Sequence, residues 1–127
     1  MKRGYPIILS TVGEHIRKKR MDIGLHQSDV GRMLKVSKDC VTNWENGRNE
    51  PQIKHYPSII TFLGYNPVAV DESTWAGKIF VYRCENGLSQ KKLAKMLGVD
   101  PTTVKAWERG RRNSDRTIML RSTELMQ

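Results

Sequence analysis

A segment of 40 residues occurs twice in this chain, and the repeat is the feature that most constrains the fold. Residues 11–50 align with residues 74–113 at a constant offset of 63 positions without a gap, and 14 of the 40 aligned positions are identical. Both copies end in the sequence W-E-x-G-R. A repeated unit of this size forms one small structural module. The sequence therefore predicts two domains, residues 1–66 and residues 74–127, joined by a linker over residues 64–73.

The chain is basic, and its positive charge is shared between the two halves. Among 127 residues there are 22 Lys and Arg against 13 Asp and Glu, a net charge of +9. Residues 1–66 carry 11 basic and 6 acidic side chains, and residues 67–127 carry 11 and 7. A basic surface favours a polyanionic partner. The even division favours two basic modules over one globular domain with a basic tail.

The remaining composition argues against several other classes of protein. The two cysteines, Cys40 and Cys84, occupy non-equivalent positions without a C-x-x-C pattern, so neither a disulfide framework nor a metal site is indicated. The apolar stretch Tyr5 to Leu9 is too short for a signal peptide or a membrane span. We therefore expect a cytoplasmic protein without cofactor, metal or membrane partner.

The histidines do not suggest a catalytic site. His26 is expected at the start of the second helix, and His15 and His55 are expected at the surface, so that none of them converges with Cys40. We expect no catalytic residues and no enzymatic activity.

Hydrophobic periodicity predicts helices throughout and no strand, which makes the chain all-α. Capping residues mark several helix starts, among them Thr11 with Glu14 three residues later and Ser37 before the third helix. Ile23 and Met33 are expected to face the core. The predicted helices cover about 11–24, 27–34, 37–47 and 56–63 in the first half, and about 74–86, 90–97, 101–109 and 116–126 in the second, where Ile118, Leu125 and Met126 would cover the core.

Two short helices around a tight turn, the second ending in W-E-x-G-R, resemble the helix-turn-helix of the phage repressor, Cro and xenobiotic-response-element (XRE) family. The resemblance covers residues 11–64 and 74–126. It implies two tandem lambda-repressor-like helix-turn-helix domains of four to five short helices each. It also implies double-stranded DNA as the partner and transcription regulation as the role.

The turn between the two helices has two requirements. A small residue in the first helix of the motif lets the second helix approach, and Gly31 and Ala94 meet this need. A residue that tolerates positive φ must follow, which is Gly98 in the second copy. Lys35 stands there in the first copy, a departure from the family pattern that would cost about 1 kcal/mol if its φ is positive.

The resemblance implies a partly buried ion pair in each copy. Arg20 and Glu45 are 25 positions apart, as are Arg83 and Glu108. In the family this pair connects the first helix to the end of the recognition helix. The alternative is that these are solvated charges of little energetic value.

The resemblance also assigns phosphate contacts. Gln27 and Gln90 begin the first helix of each motif, where free backbone N–H groups and the helix dipole favour an anion. Alternatively, glutamine is merely tolerated there. Arginines that follow the recognition helices would meet phosphates beside the groove, namely Arg48, Arg109, Arg111 and Arg112.

The outward positions of the two recognition helices carry the predicted base contacts. Lys can bind guanine, Asn can bind adenine, and Thr can meet a thymine methyl group in the major groove. Because the two sets differ, the modules should read different sequences. The predicted base-reading residues are Lys38, Asp39, Thr42 and Asn43 in the first copy and Thr102, Thr103 and Lys105 in the second.

The first helices of the two copies differ on their outer faces. The second copy has Phe80 and Val81 where the first has Arg17 and Lys18. An apolar patch usually marks a contact surface. We expect Phe80 and Val81 to pack against the fourth helix of the first domain, with a homodimer interface or a thicker local core as alternatives.

The leading interpretation is sequence-specific DNA binding by two recognition helices in one chain, in a prokaryotic or phage transcriptional regulator. About ten linker residues span about 30 Å, close to one turn of B-DNA, so that a monomer with two modules could act as a homodimer usually does. The alternative is a protein-interaction module such as an antitoxin-type autoregulator. The sequence has no evident domain for a small-molecule effector.

Overall fold

The computed structural model describes residues 9, 11–110 and 122–125, and these residues contain helices and turns but no strand. Residues 122–125 are helical. The all-α fold predicted from the sequence is confirmed. The helices are α1 (Val12–Asp22), α2 (Gln27–Leu34), α3 (Lys38–Glu45), a 3-10 turn (Ile53–His55), α4 (Tyr56–Leu63), α5 (Trp75–Asn86), α6 (Gln90–Leu97) and α7 (Pro101–Glu108).

The chain divides into two compact units, Met1–Val68 and Ala69–Gln127. The division falls between the end of α4 and the start of α5, within the predicted linker of residues 64–73.

Side-chain caps begin most of the helices where the sequence predicts. The Thr11 hydroxyl accepts the Glu14 N–H at 3.1 Å, and the Ser37 hydroxyl accepts the Cys40 N–H at 3.1 Å. Each of these bonds satisfies a backbone donor that would otherwise lack a partner in the first turn. The caps fix where α1 and α3 begin.

In the first unit α1 packs directly on α3, and α4 covers α1 and α2. Ile16, Val30, Val41 and Ile59 are fully buried in its core. A Cβ atom on Gly13 would lie 1.7 Å from the carbonyl oxygen of Trp44, so only glycine permits this approach of α1 to the end of α3.

The second unit repeats the arrangement around a core of its own, in which α5 packs on α7. Trp75 packs edge-to-face on Trp107, with ring centroids 5.3 Å apart. The buried residues of this core are Ile79, Leu93, Ala94, Leu97, Val104 and Trp107.

Three apolar residues expected in the cores are exposed instead: Ile23 by 48%, Met33 by 55% and Leu125 by 53%. Ile23 follows the last residue of α1, where the chain leaves the core. Met33 lies beside, rather than in line with, the buried stripe of α2, because consecutive helical residues differ by about 100° in direction. The predicted core residues Ile118 and Met126 lie outside the described residues.

Two histidines expected at the surface are half-buried. His15 Nδ1 lies 2.7 Å from the Tyr65 hydroxyl oxygen, and the His55 ring packs on Trp44 with centroids 5.5 Å apart. Burial lowers the pKa of both histidines.

Candidate nucleic-acid interface

A left-handed residue turns the chain between the two helices of each motif. Lys35 has φ 58° and ψ 42°, and Gly98 has φ 70° and ψ 33°. The φ of Lys35 is thus positive, which is the condition given above for a strain cost at this position, and Lys35 is the only such residue among the described non-glycine residues. This backbone region disfavours side chains with a Cβ atom, so the first turn carries strain that the second avoids.

The small residues expected in the first helix of each motif lie where the turn folds back. Backbone bonds close both turns, from Val36 N–H to Gly31 at 2.9 Å and from Val99 N–H to Ala94 at 3.0 Å. A Cβ atom on Gly31 would lie 2.9 Å from the Val36 carbonyl oxygen. The first turn therefore has no room for a methyl group at Gly31 unless the backbone shifts, whereas the second turn holds the methyl group of the fully buried Ala94.

In the first unit Arg20 of α1 and Glu45 of α3 form two hydrogen bonds of 2.8 Å, from Nε to Oε2 and from Nη2 to Oε1. The Glu45 side chain is only 1% exposed. A third bond runs from Arg20 Nη1 to the Leu25 carbonyl oxygen at 3.1 Å. The hydrogen bond to Glu45 raises the pKa of Arg20. This pair connects the end of α1, the loop after it and the end of α3.

The second unit repeats this connection with a different geometry. Arg83 Nη1 donates to both Glu108 carboxylate oxygens at 2.8 Å, and Arg83 Nε donates to the Leu88 carbonyl oxygen at 3.0 Å. The side chains are 11% and 10% exposed. Neither pair is a set of solvated surface charges.

A glutamine side chain extends each ion pair to the first turn of the motif. Gln27 Nε2 donates to Glu45 Oε1 at 3.1 Å, and Gln90 Nε2 donates to Glu108 Oε1 at 3.0 Å. In the first unit the Thr42 hydroxyl also donates to Gln27 Oε1 at 2.8 Å. The start of α2 is thus connected to both the middle and the end of α3.

A polar groove lies at the start of α2 and is lined by Arg20, His26, Gln27, Ser28 and Lys38. Gln27 and Lys38, both candidate DNA contacts from the sequence, lie together in this groove. His26 and Ser28 were not predicted to lie there. Their positions on either side of Gln27, at a helix start with free N–H groups, could have indicated them.

On α3, Val41 and Trp44 are buried and the polar residues between and before them reach the surface. Lys38 and Asp39 are exposed, and Thr42 and Asn43 are half-buried. Arg48 Nη1 lies 3.5 Å from Asn43 Oδ1, which places this arginine beside the recognition helix.

On α7, Thr102 and Lys105 are exposed and Thr103 is half-buried. Arg109, which directly follows α7, is exposed. The Thr102 hydroxyl donates to Asp100 Oδ1 at 2.6 Å, and this bond lowers the pKa of Asp100. Arg111 and Arg112, two of the predicted phosphate contacts, lie outside the described residues.

The candidate interface residues Phe80 and Val81 lie on α5. Val81 is buried, Phe80 is half-buried, and the Arg83 guanidinium carbon lies 5.8 Å from the centre of the Phe80 ring. Val81 also lines a groove with Trp75 and Tyr82 of the same unit. A role for these residues in an interface stays a prediction.

Comparison with known families defines the class of protein to which this fold belongs. The family model described as helix-turn-helix matches residues 16–70 and again residues 81–121. Together the two matches cover most of the chain, which belongs to the XRE-type helix-turn-helix family and carries two copies of its domain in tandem. This is a family of DNA-binding regulators and not of enzymes. No curated protein and no solved structure matches the chain.

Among the described residues, no group of three or more His, Cys, Asp or Glu side chains is placed to hold a metal ion. Within the same part of the chain, no helix has the length and apolar character needed to cross a membrane.

Proposed function

We propose that the chain is a sequence-specific double-stranded DNA-binding protein that uses α3 and α7 as two recognition helices. Its role would be that of a prokaryotic or phage transcriptional regulator. The observation that carries this proposal is the repeated Arg–Glu–Gln connection. In each unit it fixes the recognition helix relative to the start of the preceding helix, Arg20–Glu45–Gln27 in one and Arg83–Glu108–Gln90 in the other.

Phosphate contacts would come from the helix starts and from the arginines that follow the recognition helices. The amide group of glutamine has two N–H donors, and the bond to the glutamate uses one of them. The second donor, together with the free backbone N–H groups of α2 and α6, suits a phosphate oxygen. Arg48 and Arg109, followed by Arg111 and Arg112, would contact phosphates on the flanks.

Base contacts would come from two chemically different surfaces. The first recognition helix presents Lys38, Asp39 and Asn43. The second presents Thr103, Lys105 and the methyl group of Thr102, whose hydroxyl donates to Asp100. Both helices carry a lysine, which pairs with guanine, but the amide of Asn43, which pairs with adenine, has no counterpart among the base contacts of the second helix. The two helices should therefore select different bases. The target is therefore a bipartite sequence with unlike halves.

Selection of bound duplexes from a random pool, followed by a salt titration on the selected sequence, tests this proposal. We expect a bipartite motif and an apparent affinity that falls steeply with salt, by a log–log slope of about −0.9 for each phosphate contact. The variant Arg48→Gln should lower the steepness of that slope by about one unit and leave the motif unchanged. Weak binding without sequence preference would contradict the proposal and favour the protein-interaction class.

A further inference from the structure

Thr42 was expected to read a base, but its hydroxyl group is committed elsewhere. It lies 2.8 Å from Gln27 Oε1 and 3.1 Å from the Lys38 carbonyl oxygen. A threonine hydroxyl has a single hydrogen to donate. Both neighbouring oxygens are acceptors, and the shorter contact is the one to Gln27. Thr42 therefore has no hydroxyl hydrogen left for a base.

The bonds to Gln27 also settle which way its amide group faces. The Glu45 carboxylate, which is bound to Arg20, can only accept hydrogen bonds, so the amide nitrogen must face Glu45. The amide oxygen then faces Thr42, which donates to it. Because hydrogen bonds hold both the nitrogen and the oxygen of this amide, the second N–H of Gln27 points in one direction. An amide that was free to flip would have two orientations.

We propose that Thr42 is a positioning residue for the phosphate contact of Gln27 and that its hydroxyl does not read a base. This role rests on the proposed DNA-binding function and deepens it. A donor that is already oriented loses less conformational freedom on binding, and this improves affinity without a new contact. Thr42 thereby contributes to affinity through Gln27, and base reading by hydrogen bonds in the first unit rests on Lys38, Asp39 and Asn43.

The second unit offers an internal contrast. Lys105 stands at the position equivalent to Thr42. Among the described residues, the hydrogen-bond partner of the Gln90 side chain is Glu108. Lys105 is exposed, so its ammonium group is available to a base. The same position thus orients the phosphate contact in one unit and reads sequence in the other.

The test compares the variants Thr42→Val and Thr42→Ser with wild type in the full chain, on the duplex that wild type selects. Valine keeps the branched shape without the hydroxyl, whereas serine keeps the hydroxyl. We expect Thr42→Val to weaken binding about two- to tenfold, the value of one ordinary hydrogen bond, and to select the same motif as wild type. Thr42→Ser should retain most of the affinity. Thermal unfolding of each variant confirms that it is folded.

A double-mutant cycle with Gln27→Met decides whether Thr42 acts through Gln27. In the Gln27→Met background, Thr42→Val should cost no further affinity, because the group that Thr42 orients is gone. A full additional loss in that background, or a changed base preference in Thr42→Val, would overturn the positioning role while leaving DNA binding intact. If wild type selects no motif at all, the proposed function fails and the role of Thr42 fails with it.

Discussion

The Glu45 carboxylate lies buried against the Arg20 guanidinium, and the two groups share two hydrogen bonds of 2.8 Å. A buried carboxylate is tolerated only when a charge partner and hydrogen bonds replace the water that it has lost. Arg20 supplies the charge and Gln27 supplies a further bond. The stability of the first unit therefore depends on a contact that also sets the position of its recognition helix.

Replacing Arg20 by Met should destabilise the first unit by about 3 kcal/mol, because Glu45 would remain buried without its charge partner. Urea unfolding gives the magnitude. Amide hydrogen exchange, measured on peptides from each unit, shows whether the loss is confined to residues 11–63.

The Lys18–Asp22 pair on the same helix is the matched control, since its side chains are 39% and 42% exposed. Lys18→Met should change stability by less than about 0.5 kcal/mol. Equal losses in Lys18→Met and Arg20→Met would show that the buried pair has no special contribution.

Exchange of the turn residues between the two units should move their stabilities in opposite directions. Lys35→Gly relieves a side chain held at φ 58° and should stabilise the first unit by about 0.5–1 kcal/mol. Gly98→Lys imposes the same strain at φ 70° and should destabilise the second unit by about 1 kcal/mol. Denaturant unfolding measures both variants, and a destabilised Lys35→Gly chain would contradict the strain at this turn.

Lys105→Ala should relax base preference in one half of the bipartite motif and leave the other half as in wild type. The reason is that α3 and α7 belong to separate compact units with separate cores. One lost base contact typically costs about 1–3 kcal/mol of discrimination. Duplex selection with the variant is the measurement, and relaxation of both halves would argue against independent reading by the two units.

The two cysteines should differ strongly in reactivity. Burial raises the pKa of the Cys84 thiol to about 12, whereas Cys40 on α3 is half-buried. At pH 8 about one Cys84 thiol in ten thousand is ionised, and the thiolate is the reactive form. We expect iodoacetamide to modify Cys40 readily and Cys84 only on unfolding, as read by mass spectrometry of the folded chain.

The same labelling experiment reports on the recognition helix. Bound DNA should protect Cys40, because it directly follows the exposed residues Lys38 and Asp39 on α3. The variant Cys40→Ser provides the baseline without a reactive thiol. Labelling of Cys40 at the same rate with and without the selected duplex would place the DNA elsewhere on the protein.

Much of the fold follows from local sequence signals. The bounds of α2 and α6 agree with the prediction at both ends. A polar first turn marks both starts in the sequence, and Gly98 marks the end of α6. Ile23 was assigned wrongly because its apolar character was read as helical periodicity, although the chain has already turned there. Periodicity describes a helix only as far as the helix continues.

The candidate site was less accessible to sequence reasoning. Arg20 and Glu45 were placed together by the resemblance, since their spacing recurs in both copies. The Thr42–Gln27 bond was missed, because it joins side chains 15 positions apart across a turn and has no counterpart in the second copy. Thr42 faces outward and was therefore taken as free to contact DNA, whereas its hydroxyl already donates to Gln27 on the adjacent helix.

The buried ion pairs also affect the electrostatic attraction between this surface and a polyanion. In each unit a carboxylate lies one hydrogen bond away from the amide proposed to meet the DNA backbone, Glu45 behind Gln27 and Glu108 behind Gln90. An uncompensated negative charge so near a phosphate would repel it. Arg20 and Arg83 cancel that charge inside the protein, so neither ion pair adds net charge to the proposed docking surface. Long-range attraction of a polyanion would then come from the other lysines and arginines of that surface.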